Sequence, residues 1–413
     1  MMKAAIFFFF LLIIGGCTHR AHEPETEKQE EIPEESSEKT DIPMQNNQFA
    51  FDLMRQIPVD DENFVFSPFS ISTALAMTYV GARETTMEQM ADVMHFDRDQ
   101  DRFHEEYGKY LQALKEQAGN NIDLNIANSL WAQEDYHFLD SFFEIVEKYY
   151  GSKTFQVDFE EHHQQITHDI NDWVYEETRE KIQDLIAPNV LTDDTRLVLV
   201  NAVHFLGAWM KEFDKDLTTE DLFYLRNEEM VSVDYMRRSD TLPYLEDDNK
   251  QLLEIPYDGG DFSMLFVLPA HGKTLEEVER NLNAETFDAM INDMDEQELE
   301  VFVPSFEAES KLDLEEILAG MGMENAFNRF ADFSGMTGKK DLMIDKVIHQ
   351  AMIEVAEEGT EAAAATAVVV IRKTSIDPDE PPVFRANRPF LFFVKDNTTQ
   401  NILFSGRVIN PSK

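Results

Sequence analysis

Hydrophobic and polar positions divide this chain into three regimes. Ala4–Ile14 is an unbroken apolar run behind Lys3. Thr18–Met44 is nearly devoid of apolar residues; it carries Glu23, Glu25, Glu27, Glu30, Glu31, Glu34, Glu35 and Glu38 with Pro24, Pro33 and Pro43. From about Asn46 onward, apolar residues recur with the periods of regular structure. Helical spacing marks Phe49–Ile57, Leu75–Met90, Asp101–Gln117, Phe142–Tyr150, Gln164–Leu185, Thr274–Met294 and Asp313–Met321. Thr154–Phe159 alternates as a strand does, and Glu298–Phe306 and Leu342–Val355 read as further strands. Leu197–Trp209 is a largely apolar run, which predicts a buried central strand. Leu252–Pro269 splits into two apolar strands around Tyr257-Asp258-Gly259-Gly260, a hairpin signal. Asn401–Pro411 closes the chain as a last strand. No internal repeat and no second folded domain show in the pattern.

One stretch, Ile353–Thr374, disagrees with itself. Ala362, Ala363, Ala364 and Ala365 are strong helix formers, whereas Val368–Ile371 are β-branched and prefer a strand. Local preference leaves both a short helix and a strand open. Read as a strand, Thr360, Ala362, Ala364, Thr366, Val368 and Val370 share one face, which has no charge and little bulk. Such a segment can lie out as a loop or slide between two existing strands without a clash. Arg372-Lys373 follows, two cations in a chain with 81 acidic and 35 basic residues and a formal net charge of −46.

That charge excludes nucleic acid as a partner, since phosphate binding needs clustered Lys and Arg. It also argues against heparin-like polyanions. The apolar run at the N-terminus is shorter than the roughly 20 residues that span a bilayer, so Met1–Gly16 reads as an export signal. Ile14-Gly15-Gly16-Cys17 resembles the bacterial lipobox, which implies cleavage before Cys17 and lipidation of its thiol. Residues 17–44 then form an acidic, proline-containing tether that cannot bury enough surface to fold. Cys17 is the only cysteine, so no intramolecular disulfide is available and stability must come from a large core. Localisation at the outer face of a bacterial membrane follows as the expectation.

Glu357-Glu358-Gly359-Thr360-Glu361, followed by Ala362–Ala365 and Thr366, resembles the reactive-centre hinge of inhibitory serpins, the serine-protease-inhibitor superfamily. The resemblance continues along the chain. Asn63-Phe-Val-Phe-Ser67-Pro-Phe-Ser70-Ile matches the family's strand-to-helix junction, and Gly81–Thr86 its turn. Asn201-Ala-Val-His-Phe-Leu-Gly207-Ala-Trp209 matches its central strand, and Phe384–Val394 its signature. These motifs run in family order over about 365 residues, from Asn46 to the C-terminus. The implied fold is α+β: a large central, mostly antiparallel sheet, further sheets, about eight or nine helices and an exposed reactive-centre loop at about 357–382, within a domain spanning 45–413.

The resemblance also implies roles. Ser67, Ser70, Asn201 and His349 match the hydrogen-bonded cluster that holds the central sheet shut and lets it open, and Trp209 the residue beneath the point where the loop enters. The bait follows the hinge glycine by fourteen residues, at Lys373 with Thr374 as its partner; cutting one residue earlier gives Arg372-Lys373. Either cation suits a trypsin-like pocket with an acid at its base. The implied activity is suicide inhibition through an acyl-enzyme and loop insertion; a non-inhibitory binding or chaperone-like surface protein is the alternative. The expected partners are a protease and, through lipid, a membrane, with the chain acting as a monomer. No enzyme motif competes: there is no Gly-x-Ser-x-Gly elbow, no His-Glu-x-x-His pair and no phosphate loop. His163 and His168 are five apart and share no helical face well, so neither a metal nor any other cofactor is expected.

Overall fold

Two sheets and a layer of helices are arranged so that one strand, Leu197–Ala208, is covered on both faces. The computed structural model describes residues 41–412, apart from 120, 121, 228 and 361–380, and without the side chains of 124–127. The export signal, most of the tether and Cys17 therefore lie outside the described residues. So do Glu361, Ala362, Ala363, Ala364, Ala365, Thr366, Arg372, Lys373 and Thr374.

The first helix, Ile42–Gln56, begins inside the stretch assigned to the tether. Its physical cause is local. The Asp41 carboxylate accepts the Met44 N–H at 3.1 Å, Pro43 fits the first turn, and Ile42 is buried. Eight helices of six residues or more are present among the described residues, with two single turns of four residues, Glu315–Leu318 and Ser334–Thr337. Two expected helices are divided. Leu75–Met90 straddles Pro68–Tyr79 and Glu84–Met94, which the turn at Gly81 separates. Thr274–Met294 is Leu275–Arg280 and Ala284–Asn292, because the Asn283 side chain caps the second at the Thr286 N–H. The expected helix at Asp313–Met321 begins later, at Glu315, and its single α-helical turn continues into a π-helical stretch at Ala319–Met323; the strand Phe306–Asp313 takes up the residues before it.

The six-stranded sheet runs in the order Phe306–Asp313, Lys346–Val355, Gly359–Thr360, Leu197–Ala208, Ile122–Gln133, Lys153–Val157. It is antiparallel except where Lys346–Val355 pairs directly with Leu197–Ala208 and where Ile122–Gln133 meets Lys153–Val157. The other sheet has nine strands and includes Met230–Glu246, Lys250–Pro256, Phe262–Pro269, Phe390–Asp396 and Ile402–Val408. Val203, Phe205, Ala351 and Ile353 of the first sheet pack on Phe266, Val394 and Phe404 of the second. On the opposite face, Ile166, Ile170 and Val174 of the helix Phe159–Glu177 cover Val198, Val200 and Ile348. This double cover is why Leu197–Ala208 reads as an apolar run interrupted only by Asn201 and His204. The helix Pro68–Tyr79 is buried over all twelve residues and lies under both sheets' shared core.

Candidate functional site

Ser67 follows the short strand Phe64–Phe66 and caps the helix Pro68–Tyr79; its Oγ accepts the Ser70 N–H at 3.1 Å and donates to the Leu403 carbonyl at 2.6 Å. The Ser67 N–H donates to His349 Nε2 at 3.1 Å. That bond requires a lone pair on Nε2, so the proton of a neutral ring sits on Nδ1, which faces Asn201 Oδ1. Asn201 Nδ2 donates in turn to Ser70 Oγ at 2.5 Å and to Asn128 Oδ1. His349 and Asn201 are direct partners in the parallel ladder, and Asn201 and Asn128 in the antiparallel one. Three polar residues thus stand at one level of the sheet, above a helix N-terminus. All are buried, and burial pushes the His349 imidazole down to about 3. Ser67, Ser70, Asn201 and His349 are thus joined by hydrogen bonds; Asn128 is a fifth member, and only strand register reveals it.

About six residues further along the sheet lies the second part of the site. Ala356-Glu357-Glu358-Gly359 forms a tight turn, closed by the Ala356 N–H to the Gly359 carbonyl at 2.9 Å. The chain then reverses and enters the sheet. Thr360 pairs with Val355 on one side and Gly207 on the other, and Gly359 with Ala208. Gly359 has φ of +155°, and a Cβ there would stand 2.2 Å from the Gly207 carbonyl oxygen, so only glycine passes. Thr360 is wholly buried, and its hydroxyl shares a 2.7 Å hydrogen bond with the Tyr257 hydroxyl. The Tyr257 ring stacks on Trp209 with centroids 4.7 Å apart and planes 10° from parallel. Burial raises the Tyr257 phenol far above its ordinary range, which leaves it a neutral donor.

Trp209 secures the turn from beneath. Its N–H donates to the Glu358 carbonyl and its indole Nε1–H to the Ala356 carbonyl, both at 2.9 Å. The turn's side chains are held as well. Thr218 donates to Glu357 Oε1 at 2.6 Å, and Lys215 pairs with the Glu358 carboxylate. Burial opposes the charge on Glu358, but Lys215 and a backbone N–H outweigh it and hold the carboxyl below its usual range. This corrects one expectation. Residues 357–360 are not exposed: Glu357 and Glu358 lie in the turn, and Gly359 and Thr360 are already within the sheet. Past residue 380, the Pro382 carbonyl accepts the Glu300 N–H at 3.1 Å, and Val383–Arg385 pairs with Asp295–Pro304.

The fold and site define a class: a protein whose central sheet is parted at one end and holds a strand from its own chain. Comparison with known proteins narrows this. The family profile described as "Serpin (serine protease inhibitor)" matches residues 44–411. An uncharacterized serpin-like protein of Thermococcus kodakarensis is 39% identical over 365 residues, 88% of this chain and 84% of its own. The leukocyte elastase inhibitor of Xenopus laevis is 36% identical over 372 residues, 88% of this chain and 97% of its own. The solved structure of tengpin, a thermophilic serpin in the native state, matches with a TM-score of 0.81 at 28% identity, covering 89% of this chain and 93% of that one. The chain belongs to the serpin family.

Proposed function

We propose that this protein is a suicide-substrate inhibitor of trypsin-like serine proteases, working by insertion of its own loop into the six-stranded sheet. The observation that carries this reading is the seat of Thr360: the first step of insertion is already taken, with strand pairing on both sides. Below Thr360 the strands Leu197–Ala208 and Lys346–Val355 close on each other in a parallel ladder from Met352↔His204 down to Lys346↔Val198. An entering strand must part that ladder and replace it by antiparallel pairs on both edges.

Register supports the fit. In a strand that keeps the pairing of Gly359 and Thr360, position 366 comes level with Asn201 and His349, on the face that Thr360 occupies. Threonine at 366 is the polar residue among Ala362, Ala364, Val368 and Val370 on that face. Its hydroxyl can accept from His349 Nδ1–H and donate to Asn201 Oδ1, so both keep partners when their direct bond breaks. The charge-free face lets insertion proceed before water hydrolyses the acyl-enzyme formed by attack after the bait residue. The protease stays trapped as the cut loop becomes a strand, and the uncut form is kinetically held rather than lowest in free energy.

Lys373, with Thr374 after it, is the proposed bait, and Arg372-Lys373 the second choice. The cations carry the trypsin-like assignment; the Xenopus laevis relative is named as an inhibitor of leukocyte elastase. No step calls for a cofactor, and the chain acts on the protease as inhibitor, not as catalyst. Anchoring through Cys17 would present this activity at a cell surface. Mixing the protein with a panel of serine proteases tests the proposal: trypsin-like enzymes should give a covalent complex that survives SDS. Complete cleavage of the protein with the protease recovered active would overturn it.

A further inference from the structure

Among the described residues, side-chain hydrogen bonds stand at three levels along the seam between Leu197–Ala208 and Lys346–Val355. Tyr257–Thr360 stands at the parted end and Asn201–His349 in the middle. The third, at the far end, belongs to Asp345. One oxygen of its carboxylate, Oδ2, accepts the Arg196 N–H at 2.7 Å and the Leu197 N–H at 3.0 Å. The Asp345 N–H donates back to the Leu197 carbonyl at 3.1 Å. Asp345 immediately precedes the ladder pair Lys346↔Val198, so these three bonds join the two strands just past its last rung. The adjacent cations are engaged elsewhere, Arg196 with Glu160 and Lys346 with Asp313 and Glu315. The carboxylate is therefore committed to the backbone of the opposite strand.

We propose that Asp345 is a clasp that sets how far the seam can part, a positioning residue for strand insertion; this rests on the insertion reading above. Neighbouring strands lie about 4.8 Å apart, and a strand laid between them doubles that spacing. One aspartate side chain and its hydrogen bonds cannot bridge the doubled gap. The clasp and an inserted strand at that level exclude each other, and releasing the clasp leaves two backbone N–H groups without their acceptor. Intact, it holds the far end shut while the seam parts from the Thr360 end.

Amide hydrogen exchange on the whole uncut protein tests this without reference to inhibition. Asp345→Ala should raise exchange of the Leu197–Val203 and Lys346–Ala351 amides about tenfold or more, while Met264–Leu268 in the nine-stranded sheet keeps its protection. Asp345→Asn, which retains an oxygen acceptor, should recover most of the protection. If the alanine variant does not fold, Asp345→Ser, too short to span the strands, makes the same comparison. Unchanged exchange, a rise spread equally over both sheets, or an Asn variant as open as the Ala variant overturns the clasp. Separately, loop cleavage of the wild-type chain that leaves its melting temperature unchanged overturns the insertion reading, whatever the exchange pattern shows.

Discussion

Thr360 Oγ1 and Tyr257 Oη lie 2.7 Å apart, both fully buried, and this contact pins Thr360 inside the sheet. Tyr257→Phe keeps the ring stacked on Trp209 and removes the bond. The Thr360 hydroxyl is then buried without that partner, at a cost of about 1–3 kcal/mol. The hinge should loosen: amides of Gly359 and Thr360 should exchange faster, and a protease should cut the loop sooner. Unchanged exchange at those two amides would mean that strand pairing alone holds the hinge.

Thr360→Arg places a guanidinium where no solvent reaches. A buried unpaired charge costs several kcal/mol, so the residue should leave the sheet and resist re-entry. Slower insertion gives water time to free the protease. The number of inhibitor molecules consumed per protease trapped should rise at least tenfold, equivalent to about 1.4 kcal/mol on the insertion barrier. Trapping at the wild-type ratio would show that insertion of this segment is not the mechanism.

His349 predicts an acid-sensitive sheet. Its folded-state pKa is lowered to about 3 by burial, against 6.5 for an exposed imidazole. His104, buried among aromatic rings, is also lowered to about 3, by burial and then by Arg83. Between those limits the unfolded chain binds protons that the folded chain does not. Stability is therefore full above about pH 6.5 and falls as pH drops toward 3, by about 1.4 kcal/mol per pH unit for each histidine. Denaturant midpoints between pH 6.5 and 5 should show this slope. His104→Phe should reduce it by one proton; an identical slope in the variant would remove His104 from the account.

Lys373→Ala should abolish inhibition of trypsin-like proteases, and Lys373→Phe should shift it toward chymotrypsin-like ones, because an apolar pocket cannot take the lysine charge unpaired. The chain's net charge of −46 does not prevent docking, since fields fade within about 8–10 Å in salt. Mass spectrometry of the peptide released from the complex locates the cut. A new N-terminus at Thr374 identifies Lys373 as bait, and one at Lys373 identifies Arg372. An N-terminus upstream of Val370 would defeat the trypsin-like assignment.

Cys17→Ser should release the protein from the membrane fraction of cells that express it. Two or three acyl chains anchor firmly where one is marginal, so loss should be nearly complete. A serine variant that remains with the membrane would rule out the lipid anchor.

Much of this protein is legible in local chemistry. The doubly covered Leu197–Ala208 strand follows from its apolar run, whereas spacing alone places the next helix at Leu75–Met90 and misses its start at Pro68, where a side-chain acceptor on Ser67 and the fixed φ of proline favour a first turn. Motif resemblance singles out Ser67, Ser70, Asn201, His349 and Trp209; the structure joins the first four by hydrogen bonds and places Trp209 against the turn at Ala356–Gly359. It does not single out Asn128, Tyr257 or Asp345, because a lone polar or aromatic residue carries no period that distinguishes a site from an ordinary position. Each matters through a partner distant in sequence: Asn128 through Asn201, Tyr257 through Thr360, Asp345 through Arg196 and Leu197. The same holds for Glu357–Thr360. Their sequence determines a turn followed by small, uncharged residues on one face, compatible equally with an exposed loop and with a strand. Only the tertiary structure decides that Gly359 and Thr360 lie in the sheet, because pairing with Gly207 and Ala208 depends on two strands standing one strand's width apart at that end, and that spacing is a property of the assembled core.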